Sequence, residues 1–180
     1  MSAAAVDVRP ADVADAPAIT AIYAGHVLNG TATFEITPPD VAEMTARMRA
    51  IADAGHPWIA AARGGTVVGY AYAGPYRARP AYRYTTEDSI YLAPDAVGQG
   101  IGRRLLEALI DACTRRGDRQ MIAVIGDSGN AASVAVHAAA GFVHVGTLAS
   151  AGRKFDRWID VVMMQRALGD GARTPPGGDA

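Results

Sequence analysis

Apolar residues recur at two spacings along this 180-residue chain, and together they predict a layered mixture of strands and helices. "VDVRP" (residues 6–10) reads as a short strand. "ADVADAPAITAIYAGHVL" then places Ile19, Ile22, Tyr23, Val27 and Leu28 at helical spacing. A Gly-, Thr- and Pro-rich connection, "NGTATFEITPPD", leads to Asp40, which caps a second helix through about Ala54. "HPWIAAA" and "TVVGYAYAG", separated by "RGG", read as an antiparallel hairpin. "PYRARPAYRYTTE" is a basic, aromatic loop, and the strand "SIYLA" follows it.

From about Gly100 to Arg116 the pattern is amphipathic. Ile101, Leu105, Ala108, Leu109 and Ala112 share one face, Arg103, Glu107, Asp111 and Arg115 the other, and Gly117 stops the helix. Such a helix lies on a sheet. "MIAVIG" reads as a buried strand and "NAASVAVHAAA" as a short helix ended by Gly141; its small apolar residues predict burial nearly all round. "FVHVGTLASAG" and "WIDVVMMQRAL" are two further strands. The order predicts a mixed α/β layer fold.

Composition narrows the functional classes. With half its residues apolar, the chain is expected to form one globular domain over residues 1–168, followed by a disordered tail at 169–180. A formal charge of -1 gives no reason to expect nucleic acid or an anionic membrane as partner. The single cysteine, Cys113, fits a reducing compartment, and a cytoplasmic location is expected. No metal site is expected.

Gly98, Gly100 and Gly102 stand at alternate positions where the strand pattern gives way to the helical one. A glycine inside a helix costs roughly 1 kcal/mol relative to alanine, so the backbone itself is needed there. A Gly-rich turn opening a helix aims several free N–H groups at the positive end of the helix dipole, a site for phosphate. Arg103 and Arg104 add charge. A P-loop would end Gly-Lys-Ser/Thr, whereas this turn runs Gly-Ile-Gly-Arg. A dinucleotide fold would place its glycines near an N-terminal strand.

The helix after "MIAVIG" carries Asn130, Ser133 and His137 on one face. Each has an ordinary structural reading: Asn130 as N-cap, Ser133 bonding back to the first turn, His137 as a satisfied core histidine. As a set they form a polar stripe beside a phosphate turn.

These residues resemble a known family. "YLAPDAVGQGIGRRLLEAL", followed by a strand, "NAASVAVH" and "GF", is similar to the acyl-CoA-binding core of the GNAT superfamily of N-acetyltransferases. "TATFE", "HPWIAAA", "GYAYAGPYRARPAYRYTTEDSIYL" and "GRKFDRW" resemble its phosphinothricin and methionine sulfoximine acetyltransferase branch. The resemblance implies a mixed, mostly antiparallel central sheet with helices on both faces. It also implies acetyl-CoA as co-substrate, held at its pyrophosphate by Val97, Gly98, Gln99, Gly100, Ile101, Gly102 and Arg103. The backbone of Tyr91 and Leu92 would pair with the pantetheine arm, and Asn130 and Ser133 would touch it. Glu87 falls on the branch's general base, and His137 on a position near the CoA sulfur. Val97 stands where the usual pattern has Arg or Gln, which implies weakened cofactor binding with Gln99 compensating.

Acetyl transfer to an amine needs a neutral nucleophile, a polarised carbonyl and a proton for the leaving thiolate. Glu87 would remove the ammonium proton, backbone N–H groups near Leu92 would stabilise the oxyanion, and His137 would protonate the thiolate or orient water. Arg77 and Arg79 beside Tyr76 and Tyr82 suit a carboxylate or phosphinate on a small amine acceptor. By the resemblance, Phe34, Lys154 and Trp158 surround the acceptor pocket or its neighbour in a homodimer. Two other readings stay open: a GNAT acting on a protein N-terminus or polyamine, and a non-catalytic acetyl-CoA sensor.

Overall fold

The hydrophobic alternation along the strands divides the molecule into two cores, one on each side of a single sheet. The computed structural model describes residues 5–177. In chain order the elements are β1 (Val6–Pro10), α1 (Ala16–Asn29), α2 (Val41–Asp53), β2 (Trp58–Arg63), β3 (Thr66–Pro75) and β4 (Thr85–Leu92). Then follow α3 (Ile101–Arg116), β5 (Gln120–Gly126), α4 (Ala131–Ala139), β6 (Val143–Lys154) and β7 (Arg157–Ala167). Among the described residues the strands make a seven-stranded sheet in the order β1-β2-β3-β4-β5-β7-β6. Every junction is antiparallel except β4–β5.

Local chemistry explains the boundaries. The Asp40 side chain accepts from Glu43 N at 2.8 Å and starts α2, and Gly117 at φ 99 ends α3. The β2–β3 turn uses Gly64 and Gly65 in the left-handed region, as a two-residue hairpin loop requires. The β6–β7 turn does the same with Phe155 and Asp156, at φ 50 and 58.

On one face α3 buries Leu105, Leu106, Leu109 and Cys113 against Ile59, Ala61, Val68, Met121, Ala123 and Met164. On the other, α1 and α2 lay Ile19, Tyr23, Val27, Met44 and Met48 over Trp58, Ala60, Tyr70 and Tyr91. Cys113 is a packing residue, its thiol pushed up to about 12 by burial.

Two elements differ from the sequence-based expectation. β4 begins at Thr85, four residues before "SIYLA", so Glu87 and Asp88 lie within a strand. The polar run "TTED" disguises it because two of its buried side chains are paired inside: the Thr86 hydroxyl donates to Gly74 O at 2.7 Å and Asp88 Oδ2 meets His137, although Asp88 Oδ1 is buried without a partner. Nor is α4 buried nearly all round. His137 is its buried residue, and Ala131, Ala132, Ala135, Ala138 and Ala139 are exposed. Alanine holds a helix by propensity and needs no partner, so a small apolar run does not require a core on every side.

After β7 the chain returns along Arg119, which donates to Thr174 Oγ1 and Pro175 O at 3.2 and 2.9 Å. Residues 1–4 of the expected domain and 178–180 of the expected tail lie outside the described residues. Among the described residues no helix is long and apolar enough to cross a membrane.

Candidate active site

The sheet opens in its middle. β4 and β5 pair from Thr85↔Gln120 to Asp88↔Ala123 and no further, whereas β4 stays paired with β3 as far as Leu92↔Gly69. Tyr76 N donates to Thr85 O, and Ala93 N donates to Val68 O. By alternation the main-chain groups of residues 85, 87, 89 and 91 face β3, and those of 86, 88, 90 and 92 face β5. Ile90 and Leu92 therefore present their polar groups to the gap. Of the Tyr91 and Leu92 expected to pair with the pantetheine arm, Leu92 faces the gap, whereas the main chain of Tyr91 faces β3. The Leu92 carbonyl accepts from His26 Nε2 at 2.8 Å, a residue the sequence reading missed on an apolar helix.

The gap continues into a cavity of about 470 Å³ that reaches Val97, Gly98, the start of α3, Asn130, Ser133 and His137. The first bond of α3 runs from Arg104 N to Gly100 O, so the amides of residues 101–103 have no intrahelical acceptor. Gly98 and Gly100 sit at φ 78 and 74, and a Cβ on either would meet nothing within 4 Å. That open space beside free amides is the cradle a phosphate group needs, and it fits a pyrophosphate-bearing co-substrate.

Gly102 also lines the cavity, and a Cβ on it would rest at ordinary contact distance, 3.5 Å from Leu92 and 3.7 Å from Ile90. Gln99 is corrected as well: its carbonyl accepts from Arg63 at 3.1 Å and its amide donates to Asp95 O at 2.6 Å, away from the cavity lining. Val97 itself lines the cavity and is 57% exposed. Ile101 turns into the core, at 1% exposure. Arg103 lines the cavity with its guanidinium 2.7 Å from Glu107.

On α4, Asn130 is the N-cap, accepting from Ser133 N at 3.2 Å. His137 donates from Nδ1 to Ser133 O at 2.7 Å, and its Nε2 lies 2.9 Å from Asp88 Oδ2. Both side chains are buried. Burial alone would lower the His137 pKa, but the hydrogen bond and charge of Asp88, with the Ser133 carbonyl, raise it. Asp88 falls between the loop "PYRARPAYRYTTE" and the strand "SIYLA" of the sequence pattern, which assigns it to neither.

Successive strand residues point to opposite faces, so Glu87 and His137, both expected at the chemistry, are separated by the sheet. They flank the last rung of the β4–β5 ladder from either side. Burial raises the Glu87 pKa above the ordinary glutamate value, Arg77 pulls it back, and Asp88 adds to the rise. The Arg77 guanidinium lies 4.5 Å over the Tyr76 ring, and Tyr76 meets Tyr82 edge-on at 5.6 Å. Arg79 stands exposed on the same loop.

"TATFE" and "GRKFDRW" come together in the fold. A Cβ at Gly152 would fall 2.2 Å from the Phe34 ring, and Lys154 Nζ donates to Thr33 O at 2.9 Å. Lys154, expected around the acceptor pocket or its dimeric neighbour, is a buried tie between β6 and the 31–35 loop. Burial lowers its pKa. Trp158, opposite Arg153 on β7, is 64% exposed.

A mixed sheet split at its one parallel junction, with a glycine cradle against one face and a half-buried carboxylate on the other, defines the acetyltransferase class of fold. The pattern of the acetyltransferase (GNAT) family matches residues 21–142, and the chain belongs to that family. It is 59% identical over 162 residues to the phosphinothricin N-acetyltransferase of Alcaligenes faecalis, covering 90% of this chain and 82% of that protein. It is 42% identical over 170 residues to the L-methionine sulfoximine/L-methionine sulfone acetyltransferase of Pseudomonas paraeruginosa, covering 94% and 98%. The phosphinothricin acetyltransferase of Sinorhizobium meliloti, solved in complex with AcCoA, superposes with a TM-score of 0.94 at 47% identity, covering 97% of this chain and 95% of that one.

Proposed function

We propose that this protein transfers the acetyl group of acetyl-CoA to the α-amine of a small amino acid-like acceptor of the phosphinothricin, methionine sulfoximine or methionine sulfone type. The observation that carries the reading is the opening of the sheet beyond Asp88↔Ala123. The cradle of Gly98 and Gly100 lies against one face of that opening and Glu87 on the other, so donor and acceptor approach from opposite sides. The similarity to the Alcaligenes faecalis enzyme supports the same reading.

The main chain at residues 98–103 would hold the pyrophosphate, the main-chain groups of Ile90 the pantetheine arm, and the side chains of Asn130 and Ser133 the wall beside it. Acetyl-CoA supplies the activated acyl group. Glu87 takes the proton from the acceptor ammonium; the neutral nitrogen then forms the C–N bond as the C–S bond breaks. A second proton leaves that nitrogen and balances the departing thiolate, so no covalent enzyme intermediate is needed. The free amide of Leu92 stabilises the oxygen that becomes anionic. Arg77 and Arg79 grip the acidic group of the acceptor while Phe34, Tyr82 and Trp158 pack its carbon chain.

The assembly proposed is a homodimer. Val143, Val145, Leu148, Phe155 and Trp158 are exposed along β6 and β7, and an isologous contact would bury them. The cytoplasm is the proposed compartment, which suits the reduced Cys113. The deciding experiment incubates the protein with acetyl-CoA and a panel of acceptors and follows CoA release. Turnover on phosphinothricin, methionine sulfoximine or methionine sulfone is expected. Turnover only on polyamines or peptide N-termini would overturn the acceptor class, and binding of acetyl-CoA without turnover on any amine would favour a sensor.

A further inference from the structure

His137 and Asp88 meet in the interior, Nε2 to Oδ2 at 2.9 Å, with side-chain exposures of 2% and 1%. The other ring nitrogen, Nδ1, lies 2.7 Å from the Ser133 carbonyl oxygen. A carbonyl can only accept, so Nδ1 carries a hydrogen. At Nε2 a bare nitrogen would set its lone pair against a carboxylate, so that contact also contains a proton. The Phe142 ring stands edge-on to the imidazole at 5.1 Å. Both ring nitrogens are therefore committed within the protein.

The groups around the pair leave Asp88 as the deciding charge. From β4, Glu87 lies on the far face of the strand. From α3 comes Cys113, whose pKa near 12 keeps it uncharged. From β7, Arg166 donates to the Ala140 carbonyl at the end of α4. Asp88 also forms the last rung of the parallel ladder, opposite Ala123, so its carboxylate ties α4 to the apex of the opening.

We propose that Asp88 is a positioning residue that holds His137 doubly protonated and fixed at the cavity wall, so that His137 acts as a stationary charge and exchanges no proton during turnover. The inference rests on the acetyl-transfer reading for its effect on rate, but not for the state of the ring. A held imidazolium on that wall favours a sulfur becoming anionic through its field, with no reorganisation. The thiolate's proton must then come from the attacking amine or from water.

The test uses the full chain with labelled histidine and the variants Asp88→Asn, His137→Gln and the pair together. In the wild type, nitrogen spectra of the His137 ring should show two protonated nitrogens persisting well above the pH at which an exposed histidine titrates. Asp88→Asn should leave one nitrogen bare at neutral pH and lower kcat about tenfold, with the KM for acetyl-CoA within about twofold. The double variant should be no slower than the slower single, since Asp88 acts through His137. The acidic limb of the pH–rate profile should survive in His137→Gln. A neutral His137 in the wild type, an unchanged ring in Asp88→Asn, or losses that multiply in the double variant would each overturn the proposal. Should Asp88→Asn not fold, the wild-type spectrum decides alone. Failure of the acetyl-transfer reading would look different: no CoA released by the wild type with any acceptor, whatever the spectrum.

Discussion

Glu87 and Asp88 are adjacent carboxylates given different work by strand alternation. Asp88 faces α4 and is consumed by His137, while Glu87 is half-buried and keeps a pKa raised by burial. A base must be ionised to work, so the acidic limb of kcat should lie above the ordinary glutamate range. Arg77 opposes the rise, so Arg77→Ala should move that limb to higher pH; a limb that stays put or moves down would contradict the contact. Glu87→Gln keeps the shape but cannot take a proton, and turnover should fall roughly 100-fold, within the usual worth of a general base. Rate measurements across pH should show the deficit shrinking under alkaline conditions, where the amine arrives neutral. A deficit equal at every pH would mean that Glu87 only positions the acceptor.

At the scale of elements, the start of α3 separates two uses of glycine. Gly100 leaves open space beside free amides and holds a left-handed φ, so Gly100→Val should weaken acetyl-CoA binding at least tenfold, about 1.4 kcal/mol by calorimetry. Gly102→Ala places its methyl at ordinary contact distance from Leu92 and Ile90 and should leave that affinity within about threefold, since helical alanine is favoured over glycine by roughly 1 kcal/mol. Equal losses in both would mean that the turn acts as one rigid unit. Across the opening, a Cβ on Gly126 would fall 2.4 Å from Thr31 O, where the 31–35 loop crosses the end of β5. Backbone cannot yield as a side chain does. Gly126→Ala should therefore destabilise the fold by about 1–3 kcal/mol in denaturant unfolding, the usual cost of overpacking, and raise the acceptor KM by displacing Phe34.

For the whole molecule, the exposed apolar residues of β6 and β7 predict a dimer by light scattering, and a monomeric mass would refute that assembly. The dependence of stability on pH follows from buried pairs. His137 has a raised pKa when folded, so its contribution is complete below the unfolded value of about 6.5 and is lost as pH rises through the folded value. Asp15, lowered by its hydrogen bond to Arg9, and Asp127, lowered by Thr31, act in the opposite sense. Their contributions are present above about 3.9 and disappear as pH falls through the folded values. Thermal melts should thus decline on both sides of a mildly acidic maximum. The alkaline decline should flatten in His137→Gln, and persistence of the full decline would assign it elsewhere.

The sequence by itself determined the order of elements, the two apolar faces of the sheet, the glycine turn and the family, because each is written in short-range periodicity or in a contiguous motif. The left-handed turn at Gly98 and Gly100 was legible for that reason. Which residues share a face of the opening was not. A loop that runs through Glu87 and a strand that begins only at Ser89 conceal the alternation that puts Glu87 on one side and Asp88 with His137 on the other. The commitments of Gln99 to Arg63, Lys154 to Thr33 and His26 to Leu92 join residues 36, 121 and 66 positions apart. Such partners are chosen by sheet order and by which polar groups burial leaves unsatisfied, and no local pattern encodes either. Only the tertiary structure decides them, since a hydrogen bond or a charge acts over a few ångströms of space whatever the length of chain between.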